Sequence, residues 1–275
     1  MSVEAPILPA PPLPPKPLAR GRWRGLLAAA LALGLLVFCW IEVGASLSEL
    51  FHGLFGARGL FRDTLPHSVP PQMSAMWPGI KAAVVTLSIA LLSIAFGVVF
   101  SLVLLPLAAR NITPSRPAYE LTRLVQAILR SIPELIMLLW FNVVLGFTPF
   151  SAVLALTLHG VGVKGKLFAE AVEEMDMAPV EALRVAGAGR IAVFLHAVIP
   201  EVRNTLTSLT LYRLDANFRS AVTLGAVGSG GIGFLVFNEL SAFQFKTVTT
   251  YIIILVAVVM AIERLSTVLR ARLGA

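Results

Sequence analysis

Residues 80–107 read IKAAVVTLSIALLSIAFGVVFSLVLLPL, and Lys81 is the only charge among these 28 positions. The hydrocarbon core of a bilayer is roughly 30 Å thick, and a helix rising about 1.5 Å per residue crosses it in about 20 apolar residues. No water reaches the backbone at that depth, so every N–H and C=O must bond within the segment and the run is predicted to be a helix. The rest of the chain agrees. Of its 275 residues 57% are apolar and 13% charged, against roughly 25% charged in soluble domains. The chain is an all-α transmembrane protein.

Toward the N-terminus, residues 46–79 are mixed, with His52, Arg58, Arg62, Asp63, His67 and several prolines. They read as a periplasmic segment with a short amphipathic stretch. Before them lies an apolar run at 26–45, preceded by Arg20, Arg22 and Arg24. Basic residues before an apolar run also describe a signal peptide. This run is too long for that and lacks a small-residue cleavage site, so it reads as an uncleaved span with its N-terminus in the cytoplasm. Residues 1–19 hold seven prolines between Pro6 and Pro17. Proline cannot continue a helix, so this is an extended cytoplasmic tail, either idle or a docking segment.

Toward the C-terminus, Arg110, Arg116 and Arg123 mark a cytoplasmic loop. A third span at 124–147 is interrupted by Arg130 and Pro133, which is expected to kink it as a hinge, a gate or static packing. Thr148 and Pro149 make a tight periplasmic turn before a fourth span at 150–168. Residues 170–200 are charged, with Glu170, Glu173, Glu174, Asp176, Glu181, Arg184 and Arg190. A fifth span at 202–227, a glycine-rich loop and a sixth span at 248–268 follow, with Arg264, Arg270 and Arg272 near the end. Six spans put both termini and the 170–200 loop inside, and the basic clusters agree. The same clustering at span ends explains the net charge of +7 without a nucleic-acid partner.

The 170–200 loop is predicted to be a stiff knob. Pro179 suits the first turn of a helix, where its missing N–H is harmless. Glu181, Ala182 and Leu183 continue that helix. Gly187-Ala188-Gly189 breaks it, because glycine accepts φ > 0. A second helix from Arg190 carries an apolar stripe at Ile191, Phe194, Leu195 and Val198, and Pro200 ends it.

These residues resemble the loop E-A-A-x3-G-x9-I-x-L-P of ABC importer permeases, which docks into a cleft of the ATPase subunit. Here the loop reads Glu181-Ala182-Leu183, then Gly187, with Ala197 and Ile199 at the Ile and Leu positions and Pro200 at the end. The replacements keep apolar character. Further stretches resemble phosphonate and phosphite importer permeases: Arg130-Ser131-Ile132-Pro133-Glu134-Leu135, Leu158-His159-Gly160, Leu167-Phe168-Ala169-Glu170-Ala171 and Thr210-Leu211-Tyr212-Arg213. So do Asn217-Phe218-Arg219-Ser220 and Gly228-Ser229-Gly230-Gly231-Ile232-Gly233. Asp215 stands where that family is expected to carry Glu.

The resemblance implies a six-helix type I permease domain over 20–275, multi-pass in a bacterial inner membrane, with a coupling helix–turn–helix within 170–200. It implies two ABC ATPase subunits that bind ATP and Mg, a periplasmic substrate-binding protein and a second permease copy forming a homodimer. It implies transport of a phosphonate or related phosphorus oxyanion such as phosphite. Another small anionic or polar solute, or an ion-coupled secondary transporter, is the alternative. Pro179, Glu181, Ala182, Leu183, Gly187, Ala188 and Pro200 would contact the ATPase.

The polar residues fit a pathway. Arg130, Arg213 and Arg219 lie within apolar spans, where a charge costs commonly about 2.5–3.5 kcal/mol and lines a pathway or pairs. Asp215 precedes Arg219 by four residues, the favourable order for an ion pair on one helix face. Arg213 lies roughly 120° from Arg219 around the helix and shares a face with Asn217. Arg213 and Asn217 are expected to face the pathway, with snorkelling or an interhelical pair as the other reading of Arg213. Snorkelling leads for Arg130. His159 is a substrate contact or an interhelical hydrogen bond.

Two motifs mislead. Gly228-x-Gly230-x-x-Gly233 matches a dinucleotide fingerprint, which needs a strand before it and a helix after it. Gly230, Gly231 and Gly233 are read instead as a gate or hinge, a flexible turn or close-packed re-entrant loop near the outer mouth. Gly160 to Gly165-Lys166 nearly matches a phosphate loop, but Leu167 replaces the hydroxyl that holds Mg²⁺. The chain is therefore not an enzyme and carries no cofactor, and Lys164 and Lys166 read as interfacial anchors. His52, His67, His159 and His196 lack metal-ligand spacing. Cys39 is the lone cysteine, so no internal disulfide forms.

Overall fold

The computed structural model describes residues 20–44, 46–56 and 59–272. The proline-rich stretch 1–19 and Arg58 lie outside the described residues. The chain divides into two units, residues 1–63 and 64–275.

The first unit contains α1 (Arg20–Glu42) and α2 (Leu47–Phe55). From Gly25 onward every described residue of α1 is exposed. A helix apolar on all sides needs a lipid environment to be stable. Helix α2 starts at Ser46, whose hydroxyl accepts the Glu49 N–H at 3.2 Å, a side-chain cap for an orphan helix donor.

The second unit begins with the short α3 (Leu65–Ser68) and then α4 (Met76–Ala108), the long apolar helix. It continues with α5 (Arg116–Ser131), α6 (Glu134–Leu145), α7 (Pro149–Glu173), α8 (Ala178–Val185), α9 (Arg190–Val193), α10 (Ile199–Leu224), α11 (Gly231–Ser241) and α12 (Phe245–Arg272). Among the described residues four helices are long and apolar enough to span alone, and two bent pairs raise the number to six. Among the described residues there is no strand.

Helices α4 and α7 form the centre. Their contact is lined by small residues, Ala90 and Gly97 on α4 and Ala152, Ala155 and Gly160 on α7, while Gly162 and Gly165 of α7 face α5. Lipid tails give apolar side chains no reason to cluster, so membrane helices pack where small residues let backbones approach. An apolar cluster around Ile89, Leu138, Leu156, Phe218 and Leu224 joins α4, α6, α7 and α10.

Four expectations need correction. The third span is not one kinked helix. Between Ser131 and Glu134 the chain turns, and α5 and α6 meet at 87°. Pro133 has no N–H to continue the α5 ladder and instead precedes the first turn of α6, so the break is nearly a right angle.

Pro200 does not end a helix either. A π turn over Phe194–Val198 carries α9 directly into α10. The Ile199 N–H reaches back five residues to the Phe194 carbonyl. Proline then falls in the first turn of α10, where its missing donor matters little.

The glycine-rich segment is not a plain connection between spans. Non-helical backbone at Val227 and Gly228 and positive φ at Gly228, Gly230 and Gly231 bend α10 from α11 by 56°. The segment is close-packed. A β-carbon at Gly231 would strike the Thr86 hydroxyl, and one at Gly233 would strike the Val222 carbonyl. Thr86 in turn accepts the Ile232 N–H at 2.9 Å. No strand precedes Gly228, so the dinucleotide motif has no nucleotide geometry.

Lys164 is not an interfacial anchor. It is 1% exposed within α7, whereas Lys166 is half-exposed and pairs with Glu170 at 3.4 Å. Glycines at 97 and 160 leave room for one long side chain to lie inside the bundle. The phosphate-loop resemblance fails too, because 160–167 is continuous α-helix with no loop to cradle a phosphate.

Candidate functional site

The knob is built as its sequence suggests. Pro179 lies in the first turn of α8. The helix closes with a paired C-terminal motif: Gly187 N–H donates to Arg184 O, and Ala188 N–H donates to Leu183 O, both at 3.0 Å. Gly187 has φ +79°, a left-handed conformation that glycine adopts without steric cost. Helix α9 then leaves in a new direction.

The knob is fastened to the bundle by burial. Val180 of α8, Val193 of α9 and Ala197 and Val198 of the π turn pack with Leu105 of α4, Phe168 and Val172 of α7 and Val202 and Leu206 of α10. The predicted stripe therefore splits. Val198 is buried and Phe194 partly so, whereas Ile191 and Leu195 face outward. Polar bonds brace the same end. Glu173 accepts from the Arg110 backbone N–H at 2.9 Å and from Arg123 Nη2 at 3.0 Å. Asn111 Nδ2 donates to the Val172 carbonyl at 2.7 Å. In sequence, Arg123 and Glu173 read only as loop charges. Their pairing joins residues 50 apart and is invisible to local pattern.

The outer surface of the knob is mixed. Glu181, Ala182, Arg184, Val185, Gly187, Arg190 and Ile191 are exposed, with Val185 at 90%. Leu183 and Ala188 are half-buried and Pro200 is exposed. A pocket of about 180 Å³ between Pro106, Ile112, Arg184, Arg190 and Phe194 opens beside it.

A second constellation lies at the α5–α6 break. His159 of α7 places Nδ1 3.2 Å from the Ile132 carbonyl and Nε2 3.6 Å from Glu134 Oε2. Ser220 of α10 donates its hydroxyl to Glu134 Oε1. His159 makes its hydrogen bond to the Ile132 backbone carbonyl at the end of α5, with Glu134 beside its other nitrogen and Ser220 bonded to Glu134, neighbours that sequence reading misses. Arg130, one turn before the break, is half-buried, and its Nη1 has no hydrogen-bond partner among the described residues.

The third constellation is the seam between α4, α7 and α10. Asn217 is buried and donates to Ser93 of α4 at 3.1 Å. One turn away on the same face of α10, Arg213 is half-buried, with Nε unpaired among the described residues. Arg219 is exposed and makes the predicted ion pair with Asp215. Among the described residues no group of His, Cys, Asp and Glu could hold a metal.

An exposed helix–turn–helix held by three membrane helices, beside a polar seam, defines the membrane-spanning permease of an ABC importer. Sequence comparison agrees. Residues 103–274 match the family described as binding-protein-dependent transport system inner membrane component, and the chain belongs to that family.

A phosphite transport system permease protein of Stutzerimonas stutzeri is 39% identical over 251 residues, covering 91% of this chain and 90% of the relative. A phosphate-import permease protein of Mycolicibacterium smegmatis is 33% identical, covering 89% of this chain and 46% of that relative. The permease fold of the MetNI methionine ABC transporter, in an inward-facing conformation, superposes with a TM-score of 0.66 at 22% identity. It covers 74% of this chain and 99% of its own.

Proposed function

We propose that the chain carries a phosphorus oxyanion of the phosphonate or phosphite class across the inner membrane, from periplasm to cytoplasm. A separate ATPase supplies the work. Two copies of the chain form the pathway about a two-fold axis, and both termini lie inside. A periplasmic binding protein delivers the substrate. Each knob, residues 178–197, sits in a cleft of an ATPase subunit that binds ATP and Mg, and closure of the ATPases draws the two knobs together. Because each knob is buried against α4, α7 and α10, that motion reaches the helices around the polar seam. The permease itself makes and breaks no covalent bond.

The observation that carries this reading is 39% identity over 91% of the chain to a protein named as a phosphite transport permease, in a chain whose knob keeps Glu181, Gly187 and Pro200 in spacing. The relative named for phosphate import favours phosphate as a second reading. A secondary transporter would have no use for the knob.

The test is ATP-dependent uptake in proteoliposomes holding the permease, its ATPase and its binding protein. Binding of methylphosphonate, phosphite, hypophosphite and phosphate to the binding protein is measured beside it. Uptake should require ATP, with phosphite or methylphosphonate bound more tightly than phosphate. Equal, tight phosphate binding would move the substrate to phosphate, and uptake without ATPase would remove the importer reading.

A further inference from the structure

Lys164 lies inside the bundle with 1% of its surface exposed, and its Nζ has no hydrogen-bond partner among the described residues. The side chain runs back along α7 over Gly160, and its ammonium fills the notch left by Gly97 on α4. Arg213 of α10 is close enough to act on it electrostatically, and its charge has the same sign.

The acids of the surrounding helices are engaged elsewhere. Glu134 holds Ser220 and faces His159, Glu173 holds Arg123, Glu170 holds Lys166 and Asp215 holds Arg219. Helix α4 has no acidic residue, and Glu201 is exposed at the first turn of α10, near the knob. The seam therefore sets two cations together without a counter-charge among the described residues. Buried hydroxyls also lack partners there: Thr157 Oγ1 on α7 and Ser101 Oγ on α4.

A buried cation is normally paired, because desolvation is costly and only an anion or several acceptors offset it. We infer that the missing counter-ion is the cargo, and that Lys164 is the charge-bearing station at which an oxyanion stops between the two sides of the membrane. This rests on the oxyanion reading above and goes further by naming the residue that holds the anion.

An ammonium is a compact point charge with three rotatable donors, so it accepts tetrahedral oxyanions of differing shape where a guanidinium fork would favour one geometry. Arg213, half-buried, lies near Lys164 in the same seam. The empty seam holds repelling cations and the loaded seam does not. Helices α4, α7 and α10 enclose Lys164 and also anchor the knob, so cargo at Lys164 favours a helix arrangement that the ATPase can sense.

The test uses the permease–ATPase complex as wild type, Lys164→Met and Lys166→Gln, the last altering only a surface pair. Thermal unfolding is followed with and without millimolar phosphite or methylphosphonate in the absence of binding protein. ATP-dependent uptake is then followed with it. Wild type should be stabilised by the anion. Lys164→Met should melt higher than wild type without ligand, gain nothing from the anion and lose uptake roughly 10- to 100-fold. Lys166→Gln should match wild type in all three.

Wild-type uptake in Lys164→Met, or a retained anion shift, would overturn the inference. A lower melting temperature together with lost uptake would make Lys164 structural and overturn it as well. If wild type itself carries a different solute and no phosphorus oxyanion, the substrate reading fails first, and the inference falls with it.

Discussion

Glu134 opens α6 one residue beyond Pro133, and groups from two other helices meet there: Ser220 of α10 and His159 of α7. The break at 132–133 leaves a backbone carbonyl without its helical partner, and the His159 ring serves the Ile132 oxygen at 3.2 Å. Replacing His159 by Leu strands that carbonyl, at a cost of about 1–3 kcal/mol. Ser220→Ala removes a hydrogen bond to a charged acceptor, worth about 1.5–3 kcal/mol. The two changes share Glu134, so their effects should not add. Unfolding of the purified subunit with each variant and the double mutant checks this. Unchanged melting in His159→Leu, or strictly additive shifts, would show that the three groups do not act together. Sequence reading finds His159 because an intramembrane polar residue stands out. It misses Glu134 and Ser220 because their meeting depends on an 87° turn between α5 and α6. Lys164 is misplaced for a related reason. A lysine near the end of an apolar run ordinarily snorkels, and only the notch at Gly97, on a different helix, makes a buried course possible.

The knob behaves as a unit because both its helices bury one side. Val180 and Val193 reach the same cluster as Phe168 and Val172 of α7, so α8 and α9 cannot shift without α7. Gly187 sets the angle between them. Proline at 187 fixes φ near −65°, opposite in sign to the observed +79°. It also removes the N–H that caps Arg184 O. Gly187→Pro should therefore leave the protein inserted in the membrane while uptake stops and ATP hydrolysis no longer responds to loaded binding protein. Normal uptake by that variant would count against force passing through the knob. This element is legible in sequence because it is written locally: Pro179 starts one helix and Gly187 stops it, each through its own backbone restriction. The passage from α9 into α10 is not legible in the same way. Pro200 suggests a stop, yet the π turn over Phe194–Val198 continues the helix through it. Proline's cost depends on which turn it occupies, and that depends on the preceding backbone rather than on residue 200.

Across the second unit, α4 separates two different ends. Its 33 residues span about 50 Å at 1.5 Å per residue. At its start, Gln72 accepts from Thr247 Oγ1 at 2.8 Å, and its N–H meets Thr250 Oγ1 at 2.9 Å, so the first turns of α12 lie there. At its finish, Arg110 and Asn111 hold the end of α7, with the knob beside them. Between these ends α4 exposes Val84, Leu91, Val99 and Val103, and α12 exposes Ile253, Val256 and Met260, an apolar surface suited to lipid or a second membrane subunit. The two polar ends must then face opposite sides of the membrane, and the proposed mechanism requires the knob end to be cytosolic. Cys39 is exposed and must first be replaced by Ser. In that background Val185→Cys on the knob and Gln244→Cys at the far end report opposite sides, since both positions are exposed. A membrane-impermeant maleimide should modify residue 244 in spheroplasts and residue 185 only in inverted vesicles. Labelling of residue 185 from outside would leave the knob on the wrong side of the membrane to meet an ATPase, and coupling through α8 and α9 would be impossible however well they pack.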